Sequence, residues 1–156
     1  MMEYFIQPSQ PDKPEIYLAE HEINGLYPTD RATVYERPIS VYKYLRENDG
    51  IIWSWRKRRN INPRDRIFIY SSGKGASRMA RITCLTEVER IKYIVTLKKP
   101  LAAYLKKIHW LSDTESQLLT YENLKNNGLS TTLPGILNIT NNERLMSYLR
   151  EVLNFI

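Results

Sequence analysis

The chain has 156 residues, of which 42% are hydrophobic and 26% are charged, the composition of an ordinary globular domain. Its single cysteine, Cys84, excludes an internal disulfide framework and a zinc site built from several cysteines. No apolar run approaches the roughly 18 residues that span a bilayer, and the first residues lack the features of a signal peptide. We therefore expect a cytoplasmic protein with no membrane partner.

The formal net charge of +6 is distributed unevenly along the chain. Residues 1–50 carry −4 and residues 111–156 carry −2, whereas residues 51–110 carry +12. A segment this basic between acidic flanks is typical of a surface that binds nucleic-acid phosphates. A solvated basic face without a partner gives the same pattern, and anionic lipid is a weaker alternative because no amphipathic basic helix is present.

The first third of the chain predicts one strand and one helix. Residues 4–6 form a short apolar run that prolines soon close, which predicts an N-terminal strand. Pro38 fits the first turn of a helix, and Val41 and Leu45 then share one apolar face until the turn sequence at residues 48–50.

The basic segment predicts four strands, at residues 51–55, 66–70, 79–88 and 93–97. A polar, glycine-bearing stretch at residues 71–77 predicts a hairpin loop between the second and third strands.

The last third of the chain predicts helices. Ser112 with Glu115 and Thr140 with Glu143 have capping-box spacing, and an apolar stripe predicts a helix at residues 141–154. We therefore predict an α+β fold in which helices surround a small curved mixed β-sheet or barrel. It would be one domain over residues 1–156, with a helical portion at about residues 111–156.

Residues suited to catalysis are sparse. His21 and His109 have no partner at ligand spacing, and the one Gly-Lys-Gly sequence lacks the spacing of a phosphate-binding loop. A metal-dependent nuclease needs carboxylates that converge on Mg²⁺, and the basic segment offers only Asp65, Glu87 and Glu89. We expect a protein that is not an enzyme and holds no metal or cofactor. A metal-dependent nucleic-acid-processing enzyme or subunit is one alternative, and a regulatory protein that oligomerises through its tail helices is another.

Two tryptophans stand directly before a run of basic residues. On a strand, Trp53 and Trp55 point to one face and Ser54 to the other. Two tryptophans on one face are usually core residues, but aromatic platforms beside cations are also typical of nucleic-acid binding. The basic residues that we expect to contact phosphates are Arg56, Lys57, Arg58, Arg59, Lys74 and Arg78.

Several short motifs follow one another in a recognisable order. A Tyr-Phe-Ile strand and a helix precede residues 52–54, and Asp65, Tyr70 and Ser72 match a strand motif of the form gD-x-(hydrophobic)-(aromatic)-Y-x-S. Over residues 1–110 this order resembles the EVE/YTH branch of the PUA-like superfamily. Members of that branch carry a small barrel with a pocket for a modified base, such as 5-methylcytosine in DNA or N6-methyladenine in RNA.

The resemblance implies a function and a set of site residues. Trp53 would form an aromatic wall with Ser54 beside the base edge, and Trp110 is the candidate second wall, although an anchor for the tail helices explains it equally well. The implied pocket residues are Trp53, Ser54, Tyr70, Ser71, Ser72 and Trp110. We predict a non-catalytic domain that reads a modified, methylated base of DNA or RNA. The resemblance also implies association with a nuclease or another effector protein.

Overall fold

The computed structural model describes the chain in segments separated by short gaps. The described residues are 2–9, 23–27, 41–57, 59–72, 80–130, 132–133 and 135–156. Their elements, in chain order, are β1 (Tyr4–Ser9), α1 (Val41–Glu47), β2 (Gly50–Trp55), β3 (Arg66–Ser71), β4 (Arg81–Tyr93), β5 (Leu101–Trp110), α2 (Asp113–Leu118), α3 (Tyr121–Asn126), β6 (Leu137–Asn138) and α4 (Glu143–Val152). None of these helices is long and apolar enough to cross a membrane.

The six strands form one mixed sheet with the order β2-β5-β4-β3-β1-β6. β1 and β3 are parallel, whereas the other neighbouring strands are antiparallel. The predicted α+β fold with a mixed sheet and several helices is thereby confirmed. Across the described residues the sheet is open, with β2 and β6 at its two edges, so it is not the closed barrel that was the other form of the prediction.

The sheet is strongly curved. Its register shifts once between β3 and β4 and twice between β4 and β5, and such bulges bend a strand and increase its twist. The Nε1–H of Trp55 in β2 donates a hydrogen bond to Oε1 of Gln7 in β1, at 2.9 Å. Three strands lie between these two, a separation of about 19 Å in a flat sheet. The sheet must therefore curl to bring β2 against β1.

The core consists of two apolar clusters. The first, here named the tryptophan cluster, includes Phe5, Val41, Leu45, Ile51, Ile52, Trp53, Trp55, Ile67, Ile69, Cys84, Val88, Leu101, Ala103 and Leu105. The second, the tail-helix cluster, includes Tyr4, Ile6, Phe68, Tyr70, Ile82, Leu85, Leu119, Leu124, Leu145, Met146 and Leu149. Along β1 and β3 the two memberships alternate, so the sheet separates the clusters.

Most of the predicted elements are observed, but the predicted strand at residues 93–97 is wrong. Tyr93 ends β4, and the residues after it form a turn in which the N–H of Ile94 donates to the carbonyl of Pro100. Ile94 and Leu97 are apolar because they pack against the tryptophan cluster from this turn. The strand that pairs with both β4 and β2 is β5, which the sequence did not predict.

The tail helices are stabilised at their N-termini by side chains. The predicted capping box of α2 is confirmed, because Oγ of Ser112 accepts from the N–H of Glu115 and Oε1 of Glu115 accepts from the N–H of Ser112. The second predicted box is wrong. Asn142, rather than Thr140, caps α4, while Oγ1 of Thr140 accepts from the N–H of Tyr4 in β1.

The capping box continues into a short network that includes His109. Nε2 of His109 lies 2.7 Å from Oε1 of Glu115, and its ring packs edge-on against Phe155. Partial burial favours the neutral acid, but the Ser112 N–H and the His109 ring outweigh it and lower the pKa of Glu115. Glu115 is therefore held in its ionised form, which accepts hydrogen bonds best. His21 lies outside the described residues.

We expect Ser112→Ala to lower the free energy of unfolding by about 1 kcal/mol, because it leaves a first-turn N–H of α2 without its acceptor. Urea unfolding at neutral pH measures the loss. The matched control is Ser147→Ala, since Ser147 is exposed in the middle of α4. Equal stability of the two variants would show that the cap contributes nothing.

Candidate nucleic-acid interface

The two tryptophans of β2 are both buried. Trp53 is 7% exposed and Trp55 is 6% exposed, and their ring centroids are 6.3 Å apart. β2 pairs with β5 in continuous register from Gly50 to Trp55, so no bulge turns one ring away from the other. The sequence left open which of the two packs inward. In the structure both belong to the tryptophan cluster.

Ser54 lies between the tryptophans in sequence and points to the other face of β2. Its hydroxyl oxygen is buried, and it has no hydrogen-bond partner among the residues that the structure describes. The hydroxyl of Ser72, just after β3, is in the same situation. A buried hydroxyl without a partner is unfavourable by about 1–3 kcal/mol, so both groups are candidates for contact with a ligand.

Ser71 belongs to a small polar cluster at the end of β1 and β3. Its hydroxyl lies 3.0 Å from Oγ1 of Thr83, which also donates to the carbonyl of Ile69. Ser9 is opposite Ser71 in the parallel pair, and Gln7 is buried two residues earlier. Ser71 is therefore satisfied inside the protein. It does not lie at a pocket mouth, as the resemblance implied.

The position of Tyr70 differs from the prediction, which placed this residue in the base pocket. It points to the opposite face from Ser71 and packs in the tail-helix cluster, because neighbouring strand residues alternate. Burial there, with a smaller contribution from Tyr121, raises the pKa of Tyr70 to about 12. Trp53 and Tyr70 thus lie in different clusters and do not form one pocket.

The position of Trp110 also differs from the prediction. Trp53 pairs with Ala103 of β5, and Trp110 follows seven residues later, a path of about 23 Å along the strand. The Trp110 ring packs at 5.3 Å from the ring of Tyr42 in α1 and lies against the tryptophan cluster. It is therefore neither a second wall beside Trp53 nor an anchor for the tail helices.

The basic run begins where β2 ends. Arg56, Lys57 and Arg59 are exposed, and among the described residues no carboxylate lies within 4.0 Å of their charged groups. The other three basic residues predicted to bind phosphate lie outside the described residues. They are Arg58, Lys74 and Arg78.

An open cleft of about 690 Å³ continues from this run. Its polar and aromatic lining comes from exposed residues, which are Arg59, Asn60, Asn62 and Tyr93. Its apolar lining comes from Ile61, Pro63, Ile91 and Leu101. These lining residues include no acid, so the cleft is positively charged and partly apolar.

Sequence reasoning missed the cleft because its residues are distant along the chain. Tyr93 was assigned to the predicted strand at residues 93–97, which does not exist, and neither asparagine was predicted as a site residue. The available signal was Asn60-Ile61-Asn62, in which two amides flank one buried apolar residue directly after the basic run. Only the pairing of β4 with β5 brings Tyr93 to this place.

The three carboxylates of the basic segment do not converge. Asp65 is 1% exposed, and its two oxygens accept from the N–H groups of Glu3, at 3.0 Å, and Asn62, at 2.8 Å. Glu87 forms an ion pair with Arg66 across the strands at 3.4 Å, and Glu89 is exposed. In the described part of the chain, no three His, Cys, Asp or Glu side chains are grouped as metal ligands.

Comparison with known proteins adds no relative. No protein-family model matches the chain, and no curated protein matches it significantly. The resemblance to the EVE/YTH branch therefore depends on the short motifs of the sequence alone.

Proposed function

We propose that the protein is a non-catalytic nucleic-acid-binding domain of the EVE/YTH type. It holds phosphates with Arg56, Lys57 and Arg59, and it reads a modified base at Ser54 of β2, on the face of the strand opposite to Trp53. One observation carries the proposal: exposed cations directly follow the strand of the buried tryptophan pair, and they border a cleft with no acidic lining. Cations beside aromatic and amide groups form the usual surface for a nucleic-acid strand.

The charge around the cleft supports the proposal further. The β4–β5 hairpin brings Lys92 and Lys98, both exposed, to the same end of the sheet as Tyr93 and Leu101. Phosphate contacts of this kind supply affinity that is independent of sequence and strongly dependent on salt. Specificity must then come from groups that contact a base.

Ser54 is the group best suited to contact the base edge. Its buried hydroxyl both donates and accepts, and no described residue uses it. Trp53, at 7% exposure, packs in the core on the opposite face of β2, so it holds the strand that carries Ser54 in place and does not itself form a wall of the pocket. Tyr70 and Trp110 have no part in this proposal, because they pack in other places.

The test is a set of binding titrations at several salt concentrations. We expect the wild-type protein to prefer a methylated oligonucleotide over its unmethylated twin. In a triple variant with Arg56→Ala, Lys57→Ala and Arg59→Ala, affinity for both should fall by a similar factor. The slope of log K against log salt should become shallower by about two to three units, since each lost contact contributes about 0.7–0.9.

The matched control removes three positive charges from the tail helices, with Lys125→Ala, Arg144→Ala and Arg150→Ala. It should leave the salt slope unchanged, and both triple variants should keep the melting temperature of the wild type within a few degrees. An unchanged slope in the first variant would reduce the basic run to a solvated face. Equal affinity of the wild type for both oligonucleotides would remove base reading from the proposal.

A further inference from the structure

The cleft beside the basic run has a chemical character that phosphate binding leaves unexplained. Its volume of about 690 Å³ is within the range of small-molecule sites, and half of its lining is apolar. Phosphates need cations and N–H donors, and gain nothing from Ile61, Ile91 or Leu101. A ligand that fills the cleft must therefore have a flat or apolar body as well as polar edges.

The polar groups of the cleft match a nucleobase. Tyr93 is 52% exposed, and a tyrosine ring is a stacking platform for any base. Asn60 and Asn62 are exposed, and each amide offers a donor and an acceptor, the combination that pairs with base edges. The guanidinium of Arg59 is planar and suits a phosphate next to the base.

The cleft is also held in shape before a ligand arrives. Asp65 accepts from the N–H of Asn62 and donates its own N–H to the Asn62 carbonyl, at 3.1 Å. On the other side, the N–H of Ile94 donates to Pro100 and closes the turn that follows Tyr93. Groups fixed in this way lose little entropy on binding, which favours specific contact over loose attraction.

We infer that this cleft takes an unpaired base of the strand whose phosphates the basic run holds, so that the protein binds single-stranded nucleic acid. The inference rests on the proposed function and adds the form of the nucleic acid. In a duplex the base faces are stacked on each other and the Watson–Crick edges are paired, so Tyr93 would find no free base face and the asparagines no free Watson–Crick edge. Tyr93, Asn60 and Asn62 are distinct from Trp53 and Ser54, so the base in the cleft is not the modified one.

The experiment compares one unmodified oligonucleotide, as a single strand and as a duplex, by fluorescence anisotropy at fixed salt. We expect the wild type to prefer the single strand. Tyr93→Ala should weaken single-strand binding by about 5- to 150-fold, while Tyr93→Phe, which keeps the ring, should stay near the wild type. Phe155→Ala is the matched control, because Phe155 is similarly exposed, at 48%, but lies after α4 near the C-terminus.

A second variant removes an amide without touching the ring. Asn60→Ala should weaken single-strand binding several-fold and leave duplex binding unchanged, whatever Tyr93→Ala does to folding. If single strand and duplex bind equally and both variants retain full affinity, the inference is overturned, although the basic run can still carry phosphate binding. If no oligonucleotide binds and the salt slope is absent, the proposed function fails together with the inference.

Discussion

Trp55→Ala is expected to lower the free energy of unfolding by about 3–5 kcal/mol, the usual effect of truncating a buried tryptophan. The indole fills the tryptophan cluster beside Trp53, and its Nε1–H is the donor to Oε1 of Gln7. Truncation leaves a cavity and also leaves a buried carbonyl without its donor. Because a domain is stable by only about 5–15 kcal/mol, urea unfolding should show a large shift of the midpoint.

Two further variants separate packing from hydrogen bonding. Trp55→Phe keeps an aromatic ring but removes the donor to Gln7, so its loss should be nearer about 1–3 kcal/mol. Trp53→Ala removes packing alone and should again lose about 3–5 kcal/mol. The exposed control, Val95→Ala, should change stability by about 0.5 kcal/mol or less, because Val95 is 78% exposed. Should Trp53→Ala stay fully stable yet lose preference for a methylated base, its ring would line an open pocket instead of the core.

Asp65→Ala is expected to be almost as destabilising, by about 3–5 kcal/mol. Its carboxylate accepts from two backbone N–H groups, one before β1 and one in the turn before β3, and hydrogen bonds to charged groups contribute about 1.5–3 kcal/mol each. The turn it holds includes Arg64, whose φ of 79° is unfavourable for a residue other than glycine. Loss of the carboxylate therefore removes the hydrogen bonds that hold the backbone in place just before β1 and β3.

The controls for this variant are chemical and positional. Asp65→Asn keeps one carbonyl acceptor and should fall between alanine and the wild type. Glu89→Ala removes an exposed carboxylate from the same basic segment and should leave the urea midpoint within error. Full stability of Asp65→Ala would mean that the carboxylate is dispensable for folding.

The sequence by itself determined the elements whose signals are local. β2 and β3 were predicted from β-branched and aromatic runs between turn sequences, and α4 from an apolar stripe at helical spacing. The capping box of Ser112 and Glu115 needs only residues three positions apart, so it too was predictable. The concentration of positive charge at residues 51–110 is likewise a property of the sequence alone.

Only the tertiary structure decided where β5 lies and what the sheet brings together. Residues 101–105 are all buried and all belong to the tryptophan cluster, so the alternation that marks a half-buried strand is missing. Because side chains alternate along β3, Tyr70 lies in the tail-helix cluster. Because β4 pairs with β5, Tyr93 lies opposite Leu101 at the cleft. Contacts between residues more than 30 positions apart depend on register and curvature. The register and curvature depend on the bulges of the sheet and on the hydrogen bond from Trp55 to Gln7. No local sequence pattern indicates these features.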